Sequence, residues 1–343
     1  MKFLDLFAGI GGFRLGMEAA GHECVGFCEI DKFARESYKA IHDTKGEIEL
    51  HDITAVSDDT VRGIGRVDVI CGGFPCQAFS IAGKRKGFED TRGTLFFEIA
   101  RFASILRPRL LFLENVKGLL NHDGGDTFET IIAALDELGY DAEWQVLNSK
   151  NFGVPQNRER VFIIGHLRGE CTRGIFPLGG NDKENSGNDI IQINDSKKIR
   201  EQLKFENIWR VIDTKGIAPT LDTMQGGNRE PKIKVREATA QGYAEAEIGS
   251  SVNLAHPKSK TRRGRVGKGQ ANTLLTGESQ GVVTPDFRIR KLTPRECWRL
   301  QGFPDWAFDK AQEVNSNSQL YKQAGNSVTV NVIEAIAREL GWK

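Results

Sequence analysis

No apolar run in this 343-residue sequence approaches the roughly 20 residues that a bilayer-spanning helix needs, so a helical membrane protein is excluded and a cytoplasmic location is expected. Excess charge is missing too. Lys and Arg number 47 against 46 Asp and Glu, a formal net charge of +1, so nothing global draws the chain to an anionic polymer. Any nucleic-acid footprint has to be local. The six cysteines, Cys24, Cys28, Cys71, Cys76, Cys171 and Cys297, include no C-x-x-C pair, which argues against a zinc site or a secreted disulfide scaffold and for reduced thiols. The six histidines are scattered, and no metal is expected. No Gly-Lys-Ser/Thr triplet is present to hold phosphates, and the glycine spacing departs from the dinucleotide fingerprint, which demotes a NAD-dependent oxidoreductase.

What the sequence does contain is alternation. Short apolar runs at Lys2 to Ala8, Glu23 to Glu29, Val67 to Cys71, Leu110 to Glu114, Trp144 to Leu147 and Val161 to Ile164 read as strands. Helix-length amphipathic segments at Phe13 to Ala20, Leu95 to Leu106 and Thr127 to Leu138 lie between them. Strands alternating with helices predict a doubly wound α/β domain built on a parallel sheet. After about Gly169 the texture changes to Gly, Asn, Ser, Lys and Arg with short apolar runs, until near Thr293. Helical patterning returns from Val328 through Leu340, so the end of the chain is expected to fold back onto the beginning. The predicted division is 1–169 for the first part of the large domain, 170–287 for a smaller loop-rich module, and 288–343 completing the large domain. Within the module, Gly216 to Thr223 is echoed by Gly269 to Thr276, a weak internal repeat.

The turn Phe7-Ala8-Gly9-Ile10-Gly11-Gly12-Phe13 joins the first strand to the first helix, where glycines let backbone approach a ligand at the carboxyl edge of a sheet. Glu29 ends the second strand, from where a carboxylate accepts from ribose hydroxyls, and Asp52 is positioned to accept from an adenine amine. Two acids without a phosphate loop describe a pocket for an adenosyl group. At the same edge, Gly72-Gly73-Phe74-Pro75 leads to Cys76, a stiff loop suited to presenting a nucleophile, whereas Cys71 inside the strand reads as core. Glu114 ends the next strand, and Gln156-Asn157-Arg158-Glu159-Arg160 brings guanidiniums toward the same edge.

In order, these motifs are the glycine turn, Glu29, Asp52, Gly73 to Ser80, Glu114-Asn115-Val116, Gln156 to Arg160, Leu292 to Pro304 and Gln323 to Val328. Together the series resembles the bacterial DNA (cytosine-5)-methyltransferases of restriction-modification type across nearly the whole catalytic framework. The resemblance implies a Rossmann-like S-adenosylmethionine-dependent methyltransferase domain with a smaller target-recognition domain. It implies that Phe7, Gly9, Gly11, Glu29, Asp52, Pro75, Asn326 and Ser327 hold S-adenosylmethionine. It further implies that Cys76 is the nucleophile, that Glu114 binds the N3 and N4 edge of cytosine, and that Arg158 and Arg160 line the active-site face, the second near O2. Ala82 is a departure, standing where a similar family member has a serine that supports the flipped base. The chemistry asks for these residue types independently, because cytosine is a poor electrophile until N3 is protonated and O2 stabilised. A base hidden in a duplex must also be extruded at a cost of a few kcal/mol.

The partner implied is double-stranded DNA. Lys84-Arg85-Lys86, in the glycine-punctuated loop after Cys76, and Arg262, Arg263 and Arg265, in the densest basic run, are candidates for phosphate contact. Thr220-Leu221 and Thr273-Leu274 both look like the short pair that this family carries near its target base, and the sequence does not choose between them. A cognate restriction endonuclease is a further expectation, and a monomer suffices for handling one base. The alternatives are an RNA cytosine-5 methyltransferase and a non-catalytic DNA-binding protein on the same scaffold.

Overall fold

The computed structural model describes residues 1–75, 95–170, 174–179, 191–193, 233–256, 259, 261–277, 279–284 and 289–340, with 191–193 and 233–234 as backbone only. Eight strands form the main sheet: β1 (Lys2–Leu6), β2 (Glu23–Cys28), β3 (Ile48–Leu50), β4 (Val69–Gly73), β5 (Leu110–Val116), β6 (Tyr140–Asn148), β7 (Glu159–Leu167) and β8 (Ile191–Ile193). Their order is β3-β2-β1-β4-β5-β7-β6-β8. The chain winds outward from β1 to β3, then returns past β1 to β4 and β5, which leaves a crevice at the strand ends between the two halves.

The first five strands in that order are parallel. β7 runs antiparallel to both β5 and β6, and β8 antiparallel to β6, so the sheet is mixed rather than wholly parallel. The reason lies in the connection between β6 and β7. Residues 149–158 are too few for a crossover helix, and a parallel return needs a dozen or more residues.

Side chains alternate across the sheet, as a period of two demands. Leu4, Leu6, Leu111 and Leu113 join one buried cluster with Phe96, Phe102, Phe128 and Ile131. Those aromatic and aliphatic side chains come from α4 (Leu95–Leu106) and α5 (Asp126–Glu137). Phe3, Leu110 and Phe112 join a second cluster with Met17 of α1 (Gly12–Ala19) and Ile333 and Ile336 of α9 (Val330–Leu340). The C-terminal helix therefore covers the face that the first helix begins. A side chain at Gly16 would place its Cβ 2.7 Å from Ile333, so the two helices approach closely only because that position is glycine. Gly16→Ala should cost about 1–3 kcal/mol through overpacking. A thermal midpoint unchanged by that substitution would show that α9 separates from α1 freely.

Before α9 come α6 (Pro294–Leu300), α7 (Asp305–Val314) and α8 (Asn317–Asn326), three helices beyond the one that the apolar pattern predicts. α6 starts with a capping box: the Thr293 hydroxyl accepts from Glu296 N, Glu296 accepts from Thr293 N at 2.7 Å, and Pro294 opens the first turn. Trp298 is fully buried, donates to the Leu320 carbonyl at 3.0 Å and meets Phe303 and Phe308 edge-on.

The loop-rich module contains a two-stranded sheet of β9 (Ile233–Arg236) and β10 (Tyr243–Ala246). It also contains a four-stranded sheet of β11 (Ser251–Asn253), β12 (Val266–Gly267), β13 (Gln280–Val283) and β14 (Ile289–Lys291). Among its described residues, Val235, Ala246, Val252 and Val283 form a buried cluster. Two strands fall across the boundaries read from sequence texture: β8 joins the main sheet from inside 170–287, and β14 joins the small sheet from beyond 287. Among the described residues, no helix is long and apolar enough to cross a membrane.

Candidate active site

At the crevice lies a cavity of about 860 Å³. The turn after β1 forms one wall. Phe7 and Gly9 both line it and both take left-handed backbone angles, with φ of 55° and 56°. Gly11 is absent from the lining. It precedes α1 with φ 84°, and a side chain there would overlap the buried ring of His42, so its glycine serves helix entry and packing. Burial holds the His42 imidazole down to about 3.

Glu29 fixes the turn. Its Oε2 accepts from Gly9 N at 2.8 Å and its Oε1 from Asp31 N at 2.7 Å, while burial raises its pKa above the ordinary value. Asp52 opens a single 3-10 turn, Ile53–Ala55, by accepting from Thr54 N at 3.0 Å and the Thr54 hydroxyl at 2.7 Å, contacts that lower its pKa. Both acids line the cavity, with Ile30 and Ile53 beside them. Ile30 is 68% exposed, an apolar surface that invites a flat ring. Sequence reasoning missed Asp31 and Lys322, which line the same wall as an ion pair of 2.6 Å and tie α8 to the start of α2 (Lys32–Ile41). No local pattern links residues so far apart.

The opposite wall comes from β4, β5 and β7. Gly73 and Glu114 are register partners, and a Cβ at Gly73 would sit 3.1 Å from Glu114 Oε2, so the glycine leaves room for the carboxyl. Glu114 is 8% exposed; burial raises its pKa, opposed chiefly by Arg160, whose Nε lies 2.9 Å from Oε1. Asn115 donates to the Phe74 carbonyl at 2.8 Å, and Phe74 is buried against Phe96. These contacts fix the chain up to Pro75, which also lines the cavity. Cys76, Lys84, Arg85 and Lys86 lie outside the described residues.

Arg158 is 3% exposed, and burial and the neighbouring Arg160 pull its pKa down. Its guanidinium donates to the carbonyls of Ser327 at 2.7 Å, Gly325 at 3.2 Å and Leu274 at 3.4 Å. Asn326 and Ser327 complete the cavity from the C-terminal side. Thr273 and Leu274 line it from the smaller module, with the Thr273 hydroxyl donating to the Asn157 carbonyl at 2.9 Å. Leu275 lies backbone-to-backbone against Gly325, where a Cβ would come within 2.5 Å of it. Thr273-Leu274 thus lines this cavity, and Thr220-Leu221 lies outside the described residues.

The basic run divides. Arg265 is 4% exposed, with its guanidinium turned inward onto the carbonyls of Ala255 and His256, which removes it from phosphate contact. Arg263 is exposed and donates to the Ala238 carbonyl, and Arg262 is half-buried.

The family profile described as C-5 cytosine-specific DNA methylase matches residues 1–342. Type II methyltransferase M.HhaI of Haemophilus parahaemolyticus is 38% identical over 342 residues, covering 99% of this chain and 94% of its own. Orphan methyltransferase M.SPBetaI of Bacillus phage SPbeta is 34% identical over 439 residues, covering 99% and 97%. A crystal structure described as that of a "putative DNA modification methyltransferase" encoded within a prophage (E. coli) matches with a TM-score of 0.61, 20% identity and coverage of 99% and 98%, a likeness of fold.

Proposed function

The chain belongs to the C-5 cytosine-specific DNA methylase family, and from that premise we propose that it extrudes one cytosine of a specific duplex sequence into the cavity and attacks C6 with Cys76. The carrying observation is the Glu114–Arg160 pair, which shares one cavity with Glu29, Pro75, Thr273 and Ser327.

Methyltransferases of this kind use S-adenosylmethionine, which supplies an electrophilic methyl group for C5. The donor set fits its adenosyl half: Glu29 for ribose hydroxyls, Asp52 for the adenine amine, Ile30 and Ile53 for the ring, with no cluster of free cations for phosphate among the described lining residues. Phe7, Gly9, Pro75, Asn326 and Ser327 supply the remaining wall. Gly11 supports this pocket from behind.

Cys76 follows Pro75 directly, and its thiolate adds to C6 while Glu114 delivers a proton to N3. Arg160 orients the Glu114 carboxyl and offsets charge developing at O2. C5 then carries the electron density that takes the methyl group. Loss of the C5 proton to water restores the C5–C6 double bond and expels Cys76 as thiolate, and the N3 proton returns to the Glu114 carboxylate. Arg158 acts one step back, holding the walls to which it donates.

The smaller module supplies target recognition, with Thr273-Leu274 nearest the extruded base. Arg262 and Arg263, together with Lys84, Arg85 and Lys86 of the loop after Cys76, meet phosphates. The type II name of the 38% identical relative supports a modification role beside a restriction endonuclease reading the same site, and one chain suffices for the chemistry. Incubation with methyl-labelled S-adenosylmethionine and either duplex DNA or transfer RNA tests the reading. Label is expected in DNA at one sequence, which base-resolution methylation sequencing identifies; label confined to RNA would overturn it.

A further inference from the structure

Beneath the cavity, Arg158 belongs to a closed ring of buried polar side chains whose other members the chemistry above does not use. Gln156, fully buried, accepts from Leu274 N at 3.1 Å and donates to the Leu300 carbonyl at 2.8 Å and to Gln301 Oε1 at 3.4 Å. Gln301, also fully buried, donates to the Ala324 carbonyl at 2.7 Å and accepts from the Thr329 hydroxyl at 2.9 Å. Thr329 Oγ1 lies 2.8 Å from Ser149 Oγ, and Ser149 N donates to the Arg158 carbonyl at 3.0 Å. The Arg158 guanidinium closes the ring on the Leu274 carbonyl.

Both backbone polar groups of Leu274 are thus held by side chains two residues apart on one extended segment. The Leu274 side chain sits among Trp298, Phe303, Leu320 and Ala324, in a core belonging to the C-terminal helices. Its neighbours Thr273 and Leu275 face the cavity, and Leu275 is 46% exposed there. Among its described residues, the module that carries this segment buries Val235, Ala246, Val252 and Val283 in a cluster that does not include Leu274. A reacting base needs its supporting segment held to a fraction of an ångström, and here the holding groups come from outside the module.

We infer that Gln156 is a positioning residue for the target base: through the Leu274 N–H it fixes Thr273 and Leu275 at the cavity mouth, so its loss loosens the seating of the base and spares the cofactor pocket. This rests on the reading that the cavity receives an extruded cytosine. Gln301 provides the contrast, because it is equally buried and accepts a long 3.4 Å bond from Gln156 Nε2, but its other bonds go to Ala324 and Thr329 and it makes none to the base-facing segment itself.

The test compares Gln156→Met and Gln301→Met with wild type. The readouts are KM for duplex DNA against kcat, fluorescence of 2-aminopurine at the target position as a report of extrusion, calorimetric binding of S-adenosylmethionine, and thermal unfolding. Gln156→Met is expected to raise the KM for DNA and reduce extrusion on the order of tenfold, the scale of an orphaned buried N–H. Cofactor affinity should stay within about twofold, and Gln301→Met should leave the KM for DNA within about twofold despite a similar loss of stability. If Gln156→Met does not fold, Gln156→Asn withdraws the same oxygen by one methylene and is read in the same way. Equal effects of the Gln156 and Gln301 substitutions on the KM for DNA, or equal weakening of DNA and cofactor by Gln156→Met, overturn the inference. Wild-type protein that does not methylate DNA overturns the underlying reading instead.

Discussion

Cys76→Ala is expected to lower methyl transfer to duplex DNA by roughly 10⁴-fold or more, the scale seen when a covalent nucleophile is removed. S-adenosylmethionine binding should remain within about twofold, because a pocket formed by Glu29, Asp52 and the turn after β1 does not need the thiol to retain its ligand. No described cysteine can substitute. Cys24, Cys28, Cys71 and Cys297 are all buried, and desolvation raises each thiol, with Cys24, Cys28 and Cys297 pushed up to about 12. Such groups stay protonated at neutral pH, and the thiol form is a poor nucleophile. Cys76 instead follows a cavity-lining proline whose neighbour Phe74 is held by Asn115. A second measurement isolates the bond itself. Duplex DNA carrying 5-fluorocytosine at the target has no C5 proton to lose, so the wild-type adduct should persist through denaturation, while Cys76→Ala should form none. Turnover retained by Cys76→Ala would exclude attack by this residue.

β1, β2, β4 and β5 were legible as apolar runs, and site residues at their ends inherit their neighbourhood from the strand order; β3, three residues with Glu49 in the middle, and α2 were not among the elements read from the sequence. Glu114 needed only the prediction that its strand lies beside the strand leading to Cys76, and the register with Gly73 agrees. The direction of β7 was not legible, since Val161 to Ile164 has the same pattern running either way; only the short 149–158 connection carries that information. The helices between Pro294 and Asn326 were hidden by polar surfaces, although Thr293-Pro294 with Glu296 was a start signal within reach. Arg265 resembled its neighbours as a basic residue, and nothing local foretold carbonyls at Ala255 and His256 that turn it inward. The seating of Thr273-Leu274 at the cavity likewise depends on Gln156 and Arg158, more than a hundred residues away in sequence.

Glu114→Gln separates proton delivery from binding. The amide keeps the volume of the carboxyl and an oxygen for Arg160 Nε, so the cavity and the KM for DNA should change little. It cannot transfer a proton to N3, and kcat should fall by about 10²–10⁴, the usual worth of a positioned general acid. Arg160 alone does not compensate, because it offsets charge near O2 without supplying the N3 proton. The same substitution has a thermodynamic signature with a fixed sign. Burial raises the folded-state pKa of Glu114 above its ordinary 4.5, so folding binds a proton at this group as the pH enters that window. The stability of wild type relative to Glu114→Gln should therefore rise as pH falls through the raised value, level off below 4.5, and be lost as pH rises again. Denaturant unfolding of both proteins across that range measures the difference. A Glu114→Gln protein with wild-type kcat would remove the N3 proton from the mechanism, whereas a lowered kcat with an opposite pH slope would keep the catalytic role but place the carboxyl in a more polar setting than its burial against β4 implies.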